Sequence, residues 1–411
     1  MRYAIVTETY PPEVNGVALT VQGLEQGLRA RGHDVSVVRP RQRGEIDQMA
    51  HELLLPGVPL PRYPGLRMGL PATRALVARW AADPPDAIYV ATEGPLGWSA
   101  LRAARRLGVP AATGFHTRFD QYMRDYGAAW LAPTALRWMR RFHNRADATL
   151  VPTRELADLL ETLKFSRVLR LARAVDTQAF DPARRDRALR DEWGVGDDSM
   201  EGSGVVVIHV GRIAAEKNLD LAVRAFRGLQ QHLCRNGRPA PRFVWVGDGP
   251  ARAGLQRDNP DFIFCGVQRG DALARHFASG DVFVFPSHSE TFGNVTLEAM
   301  ASGVPTIAFD YGAAREHLRD GVHGAAIADG DDAGFIDAVA RVGSDDAMRA
   351  AMAAAGREAI AGLRPGQVAA DLDAVLQGLA VAGTSAVRKV VPAESPREAR
   401  NAGPHDDRGA A

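Results

Sequence analysis

Short runs of consecutive apolar residues, each ending in a polar or glycine-marked loop and followed by a helix-like stretch, leave this chain few ways to fold. The plainest are Val205 to Val210, broken only by His209, before Gly211-Arg212, Phe243 to Val246 before Gly247-Asp248-Gly249-Pro250, and Val282 to Pro286 before Ser287-His288-Ser289-Glu290. A strand that is apolar on both faces must be covered on both faces, which is the condition of a parallel sheet with helical crossovers. The N-terminal half begins in the same way. Tyr3 to Thr7 reads as a strand, Val17 to Arg31 as an amphipathic helix closed by Gly32, and Val35 to Val38 as the next strand. Units of this kind build doubly wound α/β sheets.

The unit after Pro286 carries the most chemistry. Glu290 lies in the loop, and Glu298 falls inside a short helix that Gly303 and Pro305 can stop. Between them the amides of Phe292, Gly293, Asn294 and Val295 lie near a helix start, where unpaired N–H groups and the positive dipole end favour an anion. Two carboxylates able to accept from hydroxyls, beside a cradle for phosphate, suit a sugar nucleotide. The competing reading is that both are solvated surface carboxylates, as most glutamates are. Earlier in the same half, Gly211 precedes Arg212, whose planar fork matches phosphate oxygens, and Lys217 supplies a point charge at the following helix start. Surface ion pairs are the alternative for these two. In the N-terminal half, Asn15-Gly16 ends a strand-to-helix loop where a residue without Cβ lets backbone approach a phosphate closely. His116 directly follows the strand Ala111 to Phe115, and the carboxyl ends of parallel strands are where such sheets bind ligands.

With Val210-Gly211-Arg212-Ile213-Ala214-Ala215-Glu216-Lys217-Asn218, Val246-Gly247-Asp248-Gly249-Pro250 and the Glu290/Glu298 unit in this order, the chain resembles the retaining, nucleotide-sugar-dependent glycosyltransferases of family 4. The resemblance runs to about Leu363. Within the family the chain is most similar to bacterial GDP-mannose-dependent α-mannosyltransferases, on Thr7-Glu8-Thr9-Tyr10-Pro11-Pro12-Glu13-Val14-Asn15-Gly16-Val17 and Phe115-His116-Thr117-Arg118-Phe119-Asp120-Gln121-Tyr122, where lipid glucosyltransferases look alike. It implies two Rossmann-like domains facing across a cleft, the GT-B fold, and a hexosyltransferase that moves mannose from GDP-mannose to a lipid or glycan hydroxyl. A UDP-hexose-dependent lipid glucosyl- or galactosyltransferase is the alternative, with a nucleotide-sugar epimerase and a non-catalytic sensor further off. A dinucleotide oxidoreductase lacks its glycine fingerprint in both halves. The resemblance assigns Gly16 to the neighbourhood of the donor diphosphate and acceptor, His116 to the transferred sugar, Glu298 to the ribose hydroxyls and Glu290 to the hexose hydroxyls. Asp120 follows as an acceptor-orienting carboxylate, and the loop Ile263 to Gln268 as the neighbour of the nucleobase. Where this chain has Ala174, the family usually has glycine.

The chain's 411 residues allow two domains with separate cores. The expected division is an acceptor domain over 1–180, a linker over 181–204, a nucleotide-sugar domain over 205–383 with a last helix crossing back to the first domain, and a disordered tail over 384–411, rich in Pro, Ser, Ala, Gly and charges. Formal net charge of +1 with 46% hydrophobic residues gives no reason to expect nucleic acid as a partner. No apolar run reaches the roughly 20 residues of a membrane span, and the start lacks a signal-peptide pattern, so a cytoplasmic location is expected. The stretch 130–145 combines Trp130, Trp138 and Phe142 with clustered arginines and offers a surface for an anionic membrane on the inner face of the cell membrane, or else an ordinary packing helix. Two cysteines and scattered histidines suggest neither a disulfide framework nor a metal cluster, and no cofactor is expected. The segment from about Arg41 to Arg67 has no clear period and reads as a mobile or acceptor-side piece.

Overall fold

Two parallel sheets carry the chain. The structure is a computed structural model that describes all residues except 14, 43–44, 46–48, 50, 61–66, 117–131, 196–203, 289, 291 and 383–411. The first sheet is built from β1 (Arg2–Val6), β2 (Asp34–Pro40) and β3 (Glu52–Leu55), then, after the small antiparallel pair β4 (Gly57–Pro59) and β5 (Arg67–Gly69), from β6 (Ala87–Val90), β7 (Ala111–Gly114), β8 (Ala148–Val151) and β9 (Val168–Arg170). Its order is β3-β2-β1-β6-β7-β8-β9. The second contains β10 (Val206–Val210), β11 (Arg242–Val246), β12 (Ile263–Gly266), β13 (Val282–Phe285), β14 (Thr306–Phe309) and β15 (Gly324–Ile327), in the order β12-β11-β10-β13-β14-β15. All pairs within both sheets are parallel, as the register Ile5↔Tyr89 and Ile208↔Phe283 illustrates. Chain order reverses on either side of β1 in one sheet and of β10 in the other, and a crevice opens at such a switch point.

The apolar runs are strands because both of their faces are covered. In the second sheet Val207, Phe243, Trp245, Val282 and Val284 pack with Phe226 and Leu229 of the helix Leu219–Arg235 and with Phe335 and Val339 of the helix Asp332–Ser344. On the other face Val206, Ile208, Val244 and Phe283 pack with Leu297 and Met300 of the helix Asn294–Ala301. The α/β class with two Rossmann-like parallel sheets is the one read from the sequence.

Two stretches differ from expectation. The segment read as aperiodic contains β3 and the β4–β5 pair, and the helix Thr73–Ala82 follows it with Leu76 and Trp80 buried. Strands this short carry too few residues for a period to show. The first part of the segment read as a linker is packed on the second sheet. Trp193 and Val195 are buried there, Arg185 donates to the carbonyls of Ala278 and Gly280, and Arg190 pairs with Asp281 at 3.1 Å. Charge density had disguised it, since these arginines are structural. The tail from 384 lies outside the described residues.

The last described helix, Pro365–Ala382, lies on the helix Gly16–Ala30 of the other half, so close that a Cβ on Gly27 would collide with that of Ala369. One buried carboxylate fastens it. Asp373 accepts from the Tyr3 hydroxyl at 2.7 Å, Arg31 Nε at 2.9 Å and Gln377 Nε2 at 2.9 Å, and His33 Nε2 stands 2.9 Å away. Burial alone would raise its pKa, but these donors win and bring it to about 2. The stability it contributes is therefore complete above its ordinary pKa of 3.8 and lost as pH falls through about 2. Asp373→Ala leaves these donors unanswered and should cost roughly 3 kcal/mol, seen as a lowered denaturant midpoint at pH 7. A midpoint equal to that of the unaltered protein would show that the helix is held by apolar contacts alone.

Candidate functional site

A cleft of about 550 Å³ opens between the two sheets, at the carboxyl ends of their strands. The first sheet contributes Thr9, Asn15, Gly16 and Val17 after β1, His116 after β7 and Arg173 after β9. From the second come Val210, Gly211, Arg212 and Lys217 after β10, and Phe285, Glu290, Phe292, Gly293, Asn294 and Val295 after β13. Every residue singled out from the sequence at these loops therefore lines one space, with two exceptions. Glu298 sits one turn further along the helix Asn294–Ala301, and Asp120 lies outside the described residues.

Gly211 to Ile213 is held by its neighbour loop. Gly211 N donates to Val246 O at 3.0 Å, Ile213 N to Asp248 O at 2.9 Å and Ala251 N to Ile213 O at 3.1 Å. Such close backbone contact needs glycine. A Cβ on Gly247, whose φ is +141°, would fall on the Gly211 carbonyl, and one on Gly249 on that of Ile213. The loop thus presents Arg212, half-exposed and 3.4 Å from Glu216, on a fixed base. Lys217 bonds directly to Glu290 across the loops, and Ser287 Oγ donates to the same carboxylate oxygen at 3.1 Å. Tyr311 braces that second loop, its hydroxyl donating to Ser287 O at 2.6 Å and accepting from Glu290 N at 3.2 Å.

The helix Asn294–Ala301 begins at Gly293, whose φ of +90° is left-handed, and no side chain caps it. Among the described residues no acceptor meets the amides of Gly293, Asn294 and Val295. An uncapped helix start opening into a cleft is an anion site in waiting. Glu298 has no hydrogen-bond or ion-pair partner among the described residues, and burial pushes its pKa up to about 7. Opposite, Asn15 accepts from Val17 N at 3.1 Å and Ala18 N at 2.9 Å and so starts the helix Gly16–Ala30. Gly16 stands against the Asn294 side chain, where its Cβ would be only in ordinary contact.

His116 is engaged at both ring nitrogens. Tyr89 Oη lies 2.8 Å from Nε2, and Arg173 donates to Nδ1. Because a guanidinium only donates, the ring proton is assigned to Nε2. Burial, then Arg173, then His143 hold its pKa well below the usual value, so the ring is neutral. Sequence reasoning missed Thr9, Val17, Val210, Phe285 and Arg173 as cleft residues. The rule that selected His116, a polar residue just past the end of a parallel strand, would also have selected Arg173.

Residues 14–179 match the family described as Glycosyltransferase Family 4, and residues 204–345 match Glycosyl transferases group 1. A GDP-mannose-dependent alpha-mannosyltransferase of Mycolicibacterium smegmatis is 38% identical over 323 residues, 77% of this chain and 81% of that protein. The alpha-monoglucosyldiacylglycerol synthase of Acholeplasma laidlawii is 26% identical over 329 residues, 75% of this chain and 80% of that protein. Among solved structures, sucrose-phosphate synthase of Thermosynechococcus elongatus superposes with a TM-score of 0.74 at 19% identity, covering 92% of this chain and 98% of that one.

Proposed function

Because this chain belongs to glycosyltransferase family 4, we propose that it transfers mannose from GDP-mannose to a lipid or glycan hydroxyl with retention at the anomeric carbon. The observation that carries the reading is the meeting, in one cleft, of Arg212, Lys217 and the open helix start at Gly293 with the carboxylate of Glu290, while Glu298 follows one turn along that helix. Cleaving the sugar–phosphate bond puts negative charge on the departing diphosphate. Arg212, Lys217 and the amides of Gly293 to Val295 stabilise it in place. Glu298 accepts from the ribose hydroxyls and Glu290 from the hexose hydroxyls. The acceptor oxygen bonds to the anomeric carbon on the face the diphosphate leaves, and its proton passes to the diphosphate. No protein base is needed, which fits a neutral His116 with both nitrogens occupied.

The N-terminal half supplies the acceptor side. There the helices Pro95–Leu107 and Ala132–His143 present Trp138, 42% exposed, with Trp98 at 5.8 Å and Arg145 stacked 4.7 Å over Trp98. Arg102 and Arg141 line the same groove. This basic aromatic face suits an anionic membrane surface carrying a lipid acceptor. Among the described residues no helix is long and apolar enough to cross a membrane. The test is transfer of labelled mannose from GDP-mannose to lipid extracts in anionic or zwitterionic vesicles and to soluble glycans, with the product's anomeric configuration read by NMR. An α-mannosyl product supports the reading. Turnover of UDP-hexoses alone would replace it with a lipid glucosyl- or galactosyltransferase.

The raised pKa of Glu298 has a consequence for donor affinity. Hydroxyls donate best to the carboxylate, and this group is a carboxylate only above about pH 7. Donor affinity should then rise with pH, being about tenfold lower at one unit below that pKa than well above it. Glu298→Gln should flatten the profile, and an equally steep profile in that variant would assign the titration to another group.

A further inference from the structure

We propose that Arg173 binds an anionic oxyacid group of a substrate, gripping it from the N-terminal wall of the cleft while Arg212 and Lys217 face it from the other. The described arginines that are buried are Arg39, Arg173 and Arg190. Arg39 is paired with Glu45 and Glu52, and Arg190 with Asp281. Arg173, 9% exposed, has no carboxylate within ion-pair reach among the described residues, and its hydrogen bond goes to a neutral histidine ring. It also lines the cleft. Burial lowers its pKa to about 10, which still leaves it charged at neutral pH.

Leaving a buried charge without a counter-charge is strongly unfavourable. Holding His116 does not explain it, because a neutral amide could donate to Nδ1 without burying a charge. The groups around that ring are Tyr89 from β6, His143 from the helix Ala132–His143 and Arg173 itself, none of them a carboxylate, and the buried Glu93 stands 3.4 Å from His143 Nε2 without pairing with Arg173. A planar fork whose remaining donors front a cleft matches a phosphate, carboxylate or sulfonate. The inference rests on the reading of the cleft as a nucleotide-sugar site. The oxyacid then comes either from the donor's diphosphate or from an acidic group on the acceptor.

Arg173→Gln keeps a donor toward His116 and removes the charge, while Arg173→Lys keeps the charge and removes the fork. Each is made in the full chain, and folding is checked by thermal melting. Calorimetric titration with GDP, inorganic pyrophosphate and guanosine separates the sources. If the diphosphate is the partner, Arg173→Gln should weaken GDP and pyrophosphate by more than about tenfold and leave guanosine unchanged, with partial recovery in Arg173→Lys. If the acceptor supplies the anion, GDP affinity should stay within about twofold while the KM for an acidic acceptor rises about tenfold and that for a neutral acceptor does not. Should Arg173→Gln fail to fold, Arg173→Lys carries the test, with an about threefold loss for GDP or for the acidic acceptor supporting the proposal. Unchanged values in both arms, or guanosine weakened as much as GDP, would overturn it. Failure of the cleft reading is separable. Wild-type protein that binds pyrophosphate but no nucleotide, and loses that binding in Arg173→Gln, keeps this inference and removes the donor assignment. Wild-type protein that binds neither removes both.

Discussion

Lys217→Ala should lower the rate of mannosyl transfer by about 10²–10³-fold, and Glu290→Gln should do comparable damage, in protein that melts at nearly the unaltered temperature. The reasoning starts from their direct bond across the mouths of β10 and β13. Both side chains line the cleft, 15% and 20% exposed, so the pair fronts the space a ligand would fill. In the free protein each charge satisfies the other. On the proposed reading, donor binding sets the same two groups where negative charge develops on the diphosphate and where the sugar hydroxyls lie. Removing Lys217 takes away a donor that matters most in the transition state, so kcat should fall more than KM rises. Because the two act as a unit, the double variant should be little slower than the worse single one. Full additivity would mean that they serve separate steps, and near-normal turnover in folded Lys217→Ala would remove the proposed site altogether.

Gly247→Ala should weaken GDP binding by about tenfold or more although the residue carries no side chain to touch a ligand. The added Cβ would lie on the Gly211 carbonyl, and the backbone there has a φ of +141°. Both the steric clash and the left-handed strain must be relieved by moving one loop off the other, at about 1–3 kcal/mol for the overpacking alone. The bonds Gly211 N to Val246 O and Ile213 N to Asp248 O are what must give, and they carry Arg212. Calorimetry on Gly247→Ala, beside a thermal melt, checks this. Unchanged GDP affinity would show that the Gly211 loop keeps its place without support from its neighbour.

The strands were legible because parallel strands buried on both faces are nearly continuous apolar runs, as Val282–Phe285 and, with only His209 intervening, Val206–Val210 are. Legibility failed where elements are short or their charges are internal. Glu52–Leu55 is a four-residue edge strand, and Arg185 and Arg190 look solvated in sequence while they bind Asp281 and backbone carbonyls in the fold. In the cleft, the glycines and charged residues at strand ends were visible because a ligand site at a switch point draws on few places in the chain. Arg173 could have been picked by its place past a strand end, but only the fold reveals that it is buried with no acid paired to it among the described residues. His116 shows the other limit. Sequence could place it at a strand end, but its engagement by Tyr89 and Arg173 depends on residues 27 and 57 positions away.

The central claim is that the cleft holds a nucleoside diphosphate sugar, and direct titration of the purified protein tests it with fewest assumptions. GDP, UDP, ADP and their hexose conjugates are added in turn to the unaltered chain and to Lys217→Ala, and heat of binding and thermal stabilisation are read together. The account predicts binding and stabilisation by GDP and GDP-mannose, weakened in the variant, with UDP and ADP well behind. Preference for UDP-hexoses would contradict the donor assignment, and no response to any nucleotide in a folded protein would contradict the site itself.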